Sequence, residues 1–240
     1  MITINKGKYT ARMAQGASDM ARVLDARARC FGAAGGAADS FDATATHIVV
    51  EDAQTGAVMA SFRMQRHMPA QISDSYAAQF YDLDALRHFD GPMLELGRFC
   101  IPPAHSDPDI LRIAWAALTA YVDADGIQLL FGCASFAGTD PEIYRDGFAL
   151  LKARHLAPAP WQPKPRAPQT FDYGTQIQHK PDLRKANAAL PPLLRTYLLM
   201  GGWVSDHAVI DRQLGTLHVF TALETGAIPP ARKKLLRALV

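Results

Sequence analysis

The residues of this chain that are best suited to chemistry lie in one short stretch, MLELGRFCIPP, which covers residues 93–103. Side chains alternate along a regular β-strand, so Glu95 and Arg98, three residues apart, would point to opposite faces of a sheet. Gly97 lies between them, and a one-residue β-bulge there would turn both side chains to one face and release a backbone N–H. The stretch therefore predicts a splayed, bulged strand that carries an acid, an arginine and an available amide.

These three groups together suit the formation of an amide by acyl transfer. The carboxylate of Glu95 can take a proton from an attacking ammonium, and the amide can stabilise an oxyanion. Arg98 can orient the acid or bind a substrate carboxylate. A surface ion pair on a β-strand explains the same pattern without any chemistry, so the pattern leaves both interpretations open.

A second set of charged residues lies upstream. Arg27 and Arg29 come at the end of a predicted helix, Asp39 and Asp42 lie in the loop after it, and Arg63 lies on a predicted strand. The helix dipole favours arginines at a helix C-terminus without any function. Taken one at a time, these charges are typical of a solvated surface.

Familiar catalytic and binding motifs are missing. There is no GxGxxG after a strand, no GxxxxGK[ST], no HExxH and no GxSxG. Cys133 lies in an apolar run, where a buried thiol is a simpler interpretation than a nucleophile. His105, Asp107 and Asp109 alternate, but helix capping explains the two acids more simply than a metal site does. We expect neither a metal ion nor a redox cofactor.

The elements that would position these residues alternate between strands and helices. The best-defined is a helix from Pro108 to Tyr121, because Asp107 can cap it and apolar residues recur on one face. Predicted strands over residues 93–101 and 128–135 flank it, which suggests a parallel βαβ unit. Further strands are predicted at residues 8–14, 47–52, 58–66, 203–210 and 216–222, a helix from residue 18 or 19 to 31 followed by a glycine-rich loop, short helical turns at 73–89 and a helix near 191–202.

Length and composition limit the number of domains and indicate the cellular compartment. With 240 residues, 49% of them hydrophobic, the chain fits a single domain over residues 1–240. Five of the 16 prolines lie at residues 158–168, which predicts an extended loop over residues 157–180. Three widely spaced cysteines do not suit a disulfide scaffold or a zinc cluster. No apolar run reaches the roughly 20 residues that cross a bilayer, so we expect a cytoplasmic protein.

The net charge of +2 hides an uneven distribution. The last ten residues hold Arg232, Lys233, Lys234 and Arg237 and no acid, whereas the other 230 residues carry 21 basic and 23 acidic side chains. A slightly acidic body therefore ends in a basic tail over residues 229–240. The chain lacks the large positive field and the interleaved aromatic residues that favour nucleic acid, so we expect no nucleic-acid partner.

Nine segments, spread over nearly the whole chain, together resemble one family. They are RARCF (27–31), DSFD (39–42), THIVVED (46–52), FRM (62–64), SYAAQFYDLDAL (75–86), LELGRFCIPP (94–103), ILRIAWAALTAYV (110–122), GIQLLFGCASFAGTDP (126–141) and PPLLRTYLLMGGWVSDHAVIDRQLGTLHVF (191–220). In this order they resemble the bacterial L-ornithine Nα-acyltransferases. That family belongs to the GCN5-related N-acyltransferase superfamily and is related to the acyl-homoserine-lactone synthases.

The resemblance implies an α/β fold of the GCN5-related N-acyltransferase type, with a mixed central sheet, flanking helices and a splayed, bulged strand near Glu95 to Arg98. It implies transfer of a 3-hydroxyacyl group from acyl-carrier protein, the acyl donor, to the α-amine of L-ornithine, which gives lyso-ornithine lipid. Carried over residue by residue, the charged set of these synthases gives a catalytic pair, Glu95 and Arg98, and a substrate-binding set, Arg29, Asp39, Asp42 and Arg63.

In this assignment Glu95 is the general base, directly or through water. Arg98 and Arg63 would hold carboxylates, and Asp39 or Asp42 would meet the cationic side chain of ornithine. No covalent acyl-enzyme is required, because a deprotonated amine positioned against a thioester is nucleophilic enough.

The sequence departs from the family pattern in two places. Thr46 stands where relatives often carry an acid before the histidine, so a substrate contact by that acid is lost or rerouted. The string GAAGG follows RARCF where many relatives carry an acid.

The turn HSDPDI bears on the identity of the acyl donor. It lacks the glycines and N–H groups that hold the pyrophosphate of coenzyme A, and this favours a carrier protein.

Other functions remain open on the sequence alone. The chain could acylate another amine, such as lysine, glutamine or a homoserine-lactone precursor, or it could be a non-catalytic module that binds acyl-carrier protein. The basic tail has two expected uses, docking of an acidic carrier protein and peripheral contact with the anionic inner membrane.

Overall fold

The structure is a computed structural model that describes residues 2–105 and 107–237. Its packing divides the chain into two compact units. Unit 1 comprises Met1–Arg66, Leu96–Ile127 and Pro230–Val240, and unit 2 comprises His67–Glu95 and Gln128–Pro229. The single domain over residues 1–240 stays a prediction, and the last three residues of the predicted tail lie outside the described residues.

Strands and helices alternate along the chain. In order they are β1 (Thr3–Lys6), β2 (Tyr9–Met13), α1 (Gly16–Gly36), β3 (Thr46–Asp52), β4 (Val58–His67), β5 (Tyr81–Asp82), β6 (Met93–Cys100), α2 (Pro108–Ala124), β7 (Leu129–Ala137), α3 (Arg145–Arg154), β8 (Lys164–Pro165), β9 (Thr170–Phe171), α4 (Tyr173–Gln176), α5 (Leu183–Ala189), α6 (Pro192–Leu199), β10 (Trp203–Asp211), β11 (Thr216–Glu224) and α7 (Pro230–Arg237). Short 3-10 turns cover Ser40–Ala43, Pro69–Asp74, Ala77–Gln79 and Asp84–His88, among others.

Unit 1 is built on an antiparallel meander of β1, β2, β3 and β4, with the second half of β6 next in order. Helix α2 packs on β1, β2 and β3 through its apolar face, where Ile110, Ile113 and Ala117 are fully buried. As predicted, Asp107 caps α2: its side chain accepts the N–H of Asp109 at 3.0 Å. A helix with this cap and a continuous apolar stripe is fixed by its sequence.

Unit 2 is built on strands in the order β6, β7, β11, β10 and β9. The first half of β6 pairs with β7 in parallel, from Met93 opposite Leu129 to Glu95 opposite Phe131, and this confirms the predicted βαβ connection. Strands β7, β11, β10 and β9 pair antiparallel. The predicted α/β fold with a mixed sheet and flanking helices is therefore confirmed.

Helix α1 differs from its prediction at both ends. It begins at Gly16 rather than at residue 18 or 19, and its buried positions are Asp19, Val23, Ala26 and Arg27. The predicted apolar face is wrong, since Phe31 is exposed. Where a glycine-rich loop was expected, the chain turns at Gly32, with φ of 72°, and stays helical to Gly36. A Cβ on Gly36 would come within 2.5 Å of the Ala28 Cα, so the small residues allow the two pieces to pack together.

The proline-rich stretch and the tail contain short elements. Residues 157–180 hold the two-residue strands β8 and β9 and the one-turn helix α4. The tail forms α7, in which Arg237 donates two hydrogen bonds of 2.9 Å to Asp123 of α2. Both side chains are about half exposed, so this ion pair contributes little stability. None of the helices in the described ranges is long and apolar enough to cross a membrane.

Candidate active site

Two aspartates predicted to bind substrate lie on one tight turn. In the 3-10 turn Ser40–Ala43, the Asp39 carboxylate accepts the N–H of Phe41 at 3.0 Å, and the Asp42 carboxylate accepts the N–H of Asp39 at 3.0 Å. This reciprocal capping fixes both side chains to the backbone of a four-residue segment. The turn therefore presents two carboxylates side by side in unit 1.

Three arginines from three different elements converge on these carboxylates. Arg27 of α1 lies 2.9 Å and 2.8 Å from the two oxygens of Asp42. Arg63 of β4 bonds Asp39 and also Asp42, the latter at 2.9 Å, and Arg98 of β6 bonds Asp39 at 3.0 Å. With His47, these residues form what we call the arginine–aspartate network: Arg27, Asp39, Asp42, His47, Arg63 and Arg98.

His47 is held in this network as a neutral ring. Its Nδ1 lies 3.2 Å from the Arg27 guanidinium, which can only donate, so Nδ1 accepts. Its Nε2 lies 3.1 Å from the Asp42 carbonyl oxygen, which can only accept, so Nε2 donates. Burial, joined by the charges of Arg27 and Arg63, lowers the pKa of His47 below its ordinary value. Bonding geometry and burial therefore select the same uncharged tautomer.

The two aspartates are ionised at neutral pH. Burial raises the pKa of each carboxyl, but hydrogen bonds from Arg63 and Arg98 to Asp39, and from the Asp39 N–H, Arg63 and Arg27 to Asp42, leave both pKa values below the ordinary value. Guanidinium groups stay protonated in proteins. Three positive charges thus meet two negative ones, and the network keeps a surplus charge of +1 that one carboxylate would neutralise.

The backbone is unusual at Arg98, directly after the position of the predicted bulge, and the bulge itself stays a prediction. Arg98 has φ of 53°, and among the described residues it is the one non-glycine with positive φ. A Cβ on Gly97 would lie 3.2 Å from the Arg63 Nε, so glycine at this position lets the Arg63 side chain pass. The strand therefore needs a small residue beside Arg63 and a left-handed residue after it, where Arg98 reaches Asp39.

Glu95 has different partners, all in unit 2. Its carboxylate accepts the N–H of Tyr76 at 2.9 Å and the N–H of Ala77 at 2.7 Å, and the residue is 5% exposed. The Nε2 of His67 lies 3.8 Å from the nearer carboxylate oxygen and has no hydrogen-bond partner among residues 2–105 and 107–237. A fixed carboxylate beside this imidazole nitrogen can accept a proton and can share it.

The comparisons with known proteins agree with the fold and give the family. Residues 22–116 match the family model described as acetyltransferase (GNAT) domain. A protein of Rhodobacter capsulatus named L-ornithine N(alpha)-acyltransferase is 36% identical over 197 residues, which cover 80% of this chain and 75% of that protein. A protein of the same name from Brucella abortus is 30% identical, over 78% of this chain and 69% of that one. The chain belongs to the L-ornithine N(alpha)-acyltransferase family.

Members of this family are N-acyltransferases, and so is this chain. The loading GNATL domain of CurA from Lyngbya majuscula has the same fold, with a TM-score of 0.52, 13% identity and coverage of 91% of this chain and 98% of that one. The family assignment and the fold therefore come from independent comparisons, one of sequence and one of structure.

The structure brings together most of the charged residues that the sequence singled out. Asp39, Asp42, Arg63 and Arg98 share the network, whereas Glu95 has its own set of partners. Arg29 is not part of the network: it is about half exposed and pairs with Asp25 at 2.9 Å, so its substrate role stays a prediction.

Three residues that contact this set were not assigned to the site from the sequence, namely Arg27, His47 and His67. The available signal for Arg27 was its position four residues after Val23, which places it on the buried face of α1. His47 was noted only as the residue that opens a strand. His67 carried no signal beyond its place at the end of β4.

Two arginines of α1 give a matched pair for a stability test. Arg27→Met removes the charge that Asp42 and His47 face in a buried site, and we expect the free energy of unfolding to fall by about 3–5 kcal/mol. Arg29→Met changes an exposed pair with Asp25, and we expect a change below about 0.5 kcal/mol. Urea denaturation followed by circular dichroism measures both, and equal effects would contradict the assignment of Arg27 to the network.

Proposed function

We propose that this protein transfers a 3-hydroxyacyl group from acyl-carrier protein to the α-amine of L-ornithine, giving lyso-ornithine lipid. The family membership gives N-acyl transfer, and relatives that carry ornithine in their names match about four-fifths of the chain. The observation that supports ornithine as the substrate is the composition of the arginine–aspartate network, which has a surplus positive charge and two carboxylates in one place.

The most exposed pair of the network suits an amino acid with a cationic side chain. The side chains of Asp39 and Arg98 are 25% and 14% exposed, whereas those of the other network members are 0–7% exposed. Arg98 can pair with the α-carboxylate of ornithine, which neutralises the surplus charge. Asp39 can accept a hydrogen bond from the side-chain ammonium. Neighbouring groups of opposite sign thus recognise both charged ends of one substrate.

The reaction needs a base for the α-ammonium. The ammonium gives up a proton, its nitrogen attacks the thioester carbonyl carbon, and the carbon–sulfur bond breaks to release the carrier thiol, which takes a proton. Glu95 is the candidate base, because the N–H groups of Tyr76 and Ala77 fix its carboxylate while each oxygen keeps a further lone pair. His67, 3.8 Å away, can share the proton that Glu95 accepts.

The start of α2 supports a carrier protein over coenzyme A as the donor. Helix N-termini bind phosphates through N–H groups that have no other partner. Here Pro108 supplies no N–H, and the Asp107 side chain already accepts the N–H of Asp109. The carboxylates of Asp107 and Asp109, at the start of α2, would repel a pyrophosphate. A carrier protein brings a single phosphate and depends less on such a turn.

A panel of donors and amines tests the proposal. The purified protein is incubated with 3-hydroxyacyl-carrier protein or 3-hydroxyacyl-coenzyme A and with ornithine, lysine, glutamine or homoserine lactone, and products are identified by mass spectrometry. We expect acylated ornithine from the carrier-bound donor. Product with another amine but not with ornithine would overturn the substrate, and carrier binding without product on any amine would indicate a non-catalytic module.

The role of Glu95 is tested by replacing one atom. Glu95→Gln keeps the shape of the side chain but removes the basic oxygen, and we expect kcat to fall by roughly 10²–10⁴ at neutral pH. Glu142→Gln, at an exposed site in unit 2, is the control and should leave kcat unchanged. Unchanged turnover in Glu95→Gln would exclude this residue as the base.

The basic helix α7 is the candidate docking surface for the acidic carrier. Arg237 is paired with Asp123, and Arg232, Lys233 and Lys234 provide further positive charge on the same helix. Replacing these three with glutamine, and leaving Arg237, should raise KM for the carrier-bound donor roughly 3- to 10-fold with kcat unchanged. Unchanged KM together with weaker binding to anionic vesicles would instead assign the helix to the membrane.

A further inference from the structure

Two buried histidines of unit 2 take no part in the chemistry described so far. His207 of β10 and His218 of β11 are 1% and 3% exposed. The Nε2 atom of each ring has no hydrogen-bond partner in the part of the chain that the structure describes. A buried polar atom without a partner destabilises a fold, so two of them in one region require an explanation.

The other nitrogen of each ring is held in place. The Nδ1 of His207 lies 2.7 Å from the Asp206 carboxylate, and the Nδ1 of His218 lies 3.0 Å from the Tyr81 hydroxyl. That hydroxyl also lies 2.8 Å from the His218 carbonyl oxygen. Both imidazole rings contact the Tyr81 ring, with centroids 5.3 Å and 5.7 Å away. The two rings are therefore fixed around one tyrosine, and each keeps one unpaired nitrogen.

The surroundings of these nitrogens are apolar. Tyr81, Phe131, Trp203 and Phe220 belong to one buried hydrophobic cluster, which we call the aromatic cluster. The Phe80 ring packs edge-on against His218, with centroids 4.9 Å apart. An alkyl chain suits such surroundings but would leave both nitrogens unpaired. A hydrocarbon chain that carries a hydroxyl group suits both, because a hydroxyl can donate and accept.

The aromatic cluster extends from these histidines to the strand pair that carries Glu95. Glu95 of β6 lies opposite Phe131 of β7. The Phe131 ring packs on Phe220 at 5.9 Å, and Phe220 packs on Tyr81 at 5.7 Å. The His67 ring also contacts Phe131, at 5.9 Å. Within unit 2, a continuous series of ring contacts therefore connects the neighbourhood of the candidate base to the two unpaired nitrogens.

We propose that His207 and His218 form a recognition site for the hydroxyl group of a hydroxylated acyl chain, so that the enzyme selects 3-hydroxyacyl donors over unsubstituted ones. This inference rests on the proposed acyl transfer and names the part of the donor that unit 2 recognises. Burial lowers the pKa of His218 to about 4, so this ring is neutral under physiological conditions. The Tyr81 hydroxyl donates to the His218 carbonyl oxygen, so Nδ1 donates to that hydroxyl and Nε2 is left to accept a hydrogen bond.

The test compares two donors of equal chain length, 3-hydroxyacyl- and acyl-carrier protein, in competition for one amine. The wild-type protein should prefer the hydroxylated donor by roughly 10- to 100-fold in kcat/KM, because the unsubstituted chain leaves buried polar atoms unpaired. His207→Phe and His218→Phe keep a ring in each position and should lower that preference at least about 5-fold. Tyr81→Phe, which removes the hydroxyl that holds His218, should lower it in the same direction.

His179→Phe is the matched control, because His179 lies in unit 2 but is exposed and pairs with Asp146. A purely structural role for the buried histidines would lower activity with both donors and leave their ratio unchanged, and this result would overturn the inference. A wild-type ratio near one would overturn it as well. Absence of acylated ornithine refutes the proposed function alone, since the donor ratio can be measured with whichever amine reacts.

A measurement on the wild-type protein covers the case in which the variants fail to fold. With ¹⁵N-labelled histidine, the Nε2 resonances of His207 and His218 should shift on addition of the 3-hydroxyacyl-carrier protein and shift less with the unsubstituted one. Equal responses to the two donors would show that the nitrogens meet only buried water or only the apolar chain, and the inference would be wrong.

Discussion

The charged interior of unit 1 depends on the hydrogen bonds and ion pairs that the Asp42 carboxylate makes. This carboxylate accepts hydrogen bonds from Arg27 of α1, Arg63 of β4 and the backbone of its own turn. Both guanidinium groups are buried, so each would carry a large desolvation cost without this counter-charge. One carboxylate therefore fixes the position of a helix relative to a strand within unit 1 and leaves Asp39 and Arg98 as the most exposed pair of the network.

Backbone amides hold the carboxylate of Glu95, the proposed base, in unit 2. Glu95 lies opposite Phe131 on a parallel strand pair, and its side chain accepts the N–H groups at the start of the turn Ala77–Gln79. Such bonds fix the orientation of the carboxylate, and each oxygen keeps a lone pair for a further hydrogen bond. The chain thus holds its buried acids in two ways: by ion pairs with arginines in unit 1 and by amide hydrogen bonds in unit 2.

Sequence patterns predicted the parts of the fold that depend on local chemistry. The cap at Asp107, the proline at the first turn of α2 and the parallel pairing of β6 with β7 all follow from residue types at fixed spacing. The grouping of Asp39, Asp42, Arg63 and Arg98 followed from the family resemblance, because no local rule brings together residues so far apart in the chain.

The features that the sequence did not predict depend on how the elements pack against one another. Arg27 and Arg29 lie two residues apart on one helix, which places their side chains about 200° apart around the helix axis. Which of them is buried depends on the face that the helix turns to the core, and the apolar pattern predicted the wrong face. His67 lies beside Glu95 because the turns after β4 fold back to bond that carboxylate. His207 and His218 looked like ordinary strand residues, since periodicity places a side chain on a face but does not say whether its nitrogens find partners.

The left-handed backbone of Arg98 has a consequence for any attempt to improve this protein. A glycine or an asparagine would fit φ of 53° with less strain, so a search for more stable variants would favour replacing this residue. The same replacement would remove the guanidinium that pairs with Asp39. If Arg98 binds the substrate carboxylate as proposed, stability and activity select different residues at this position.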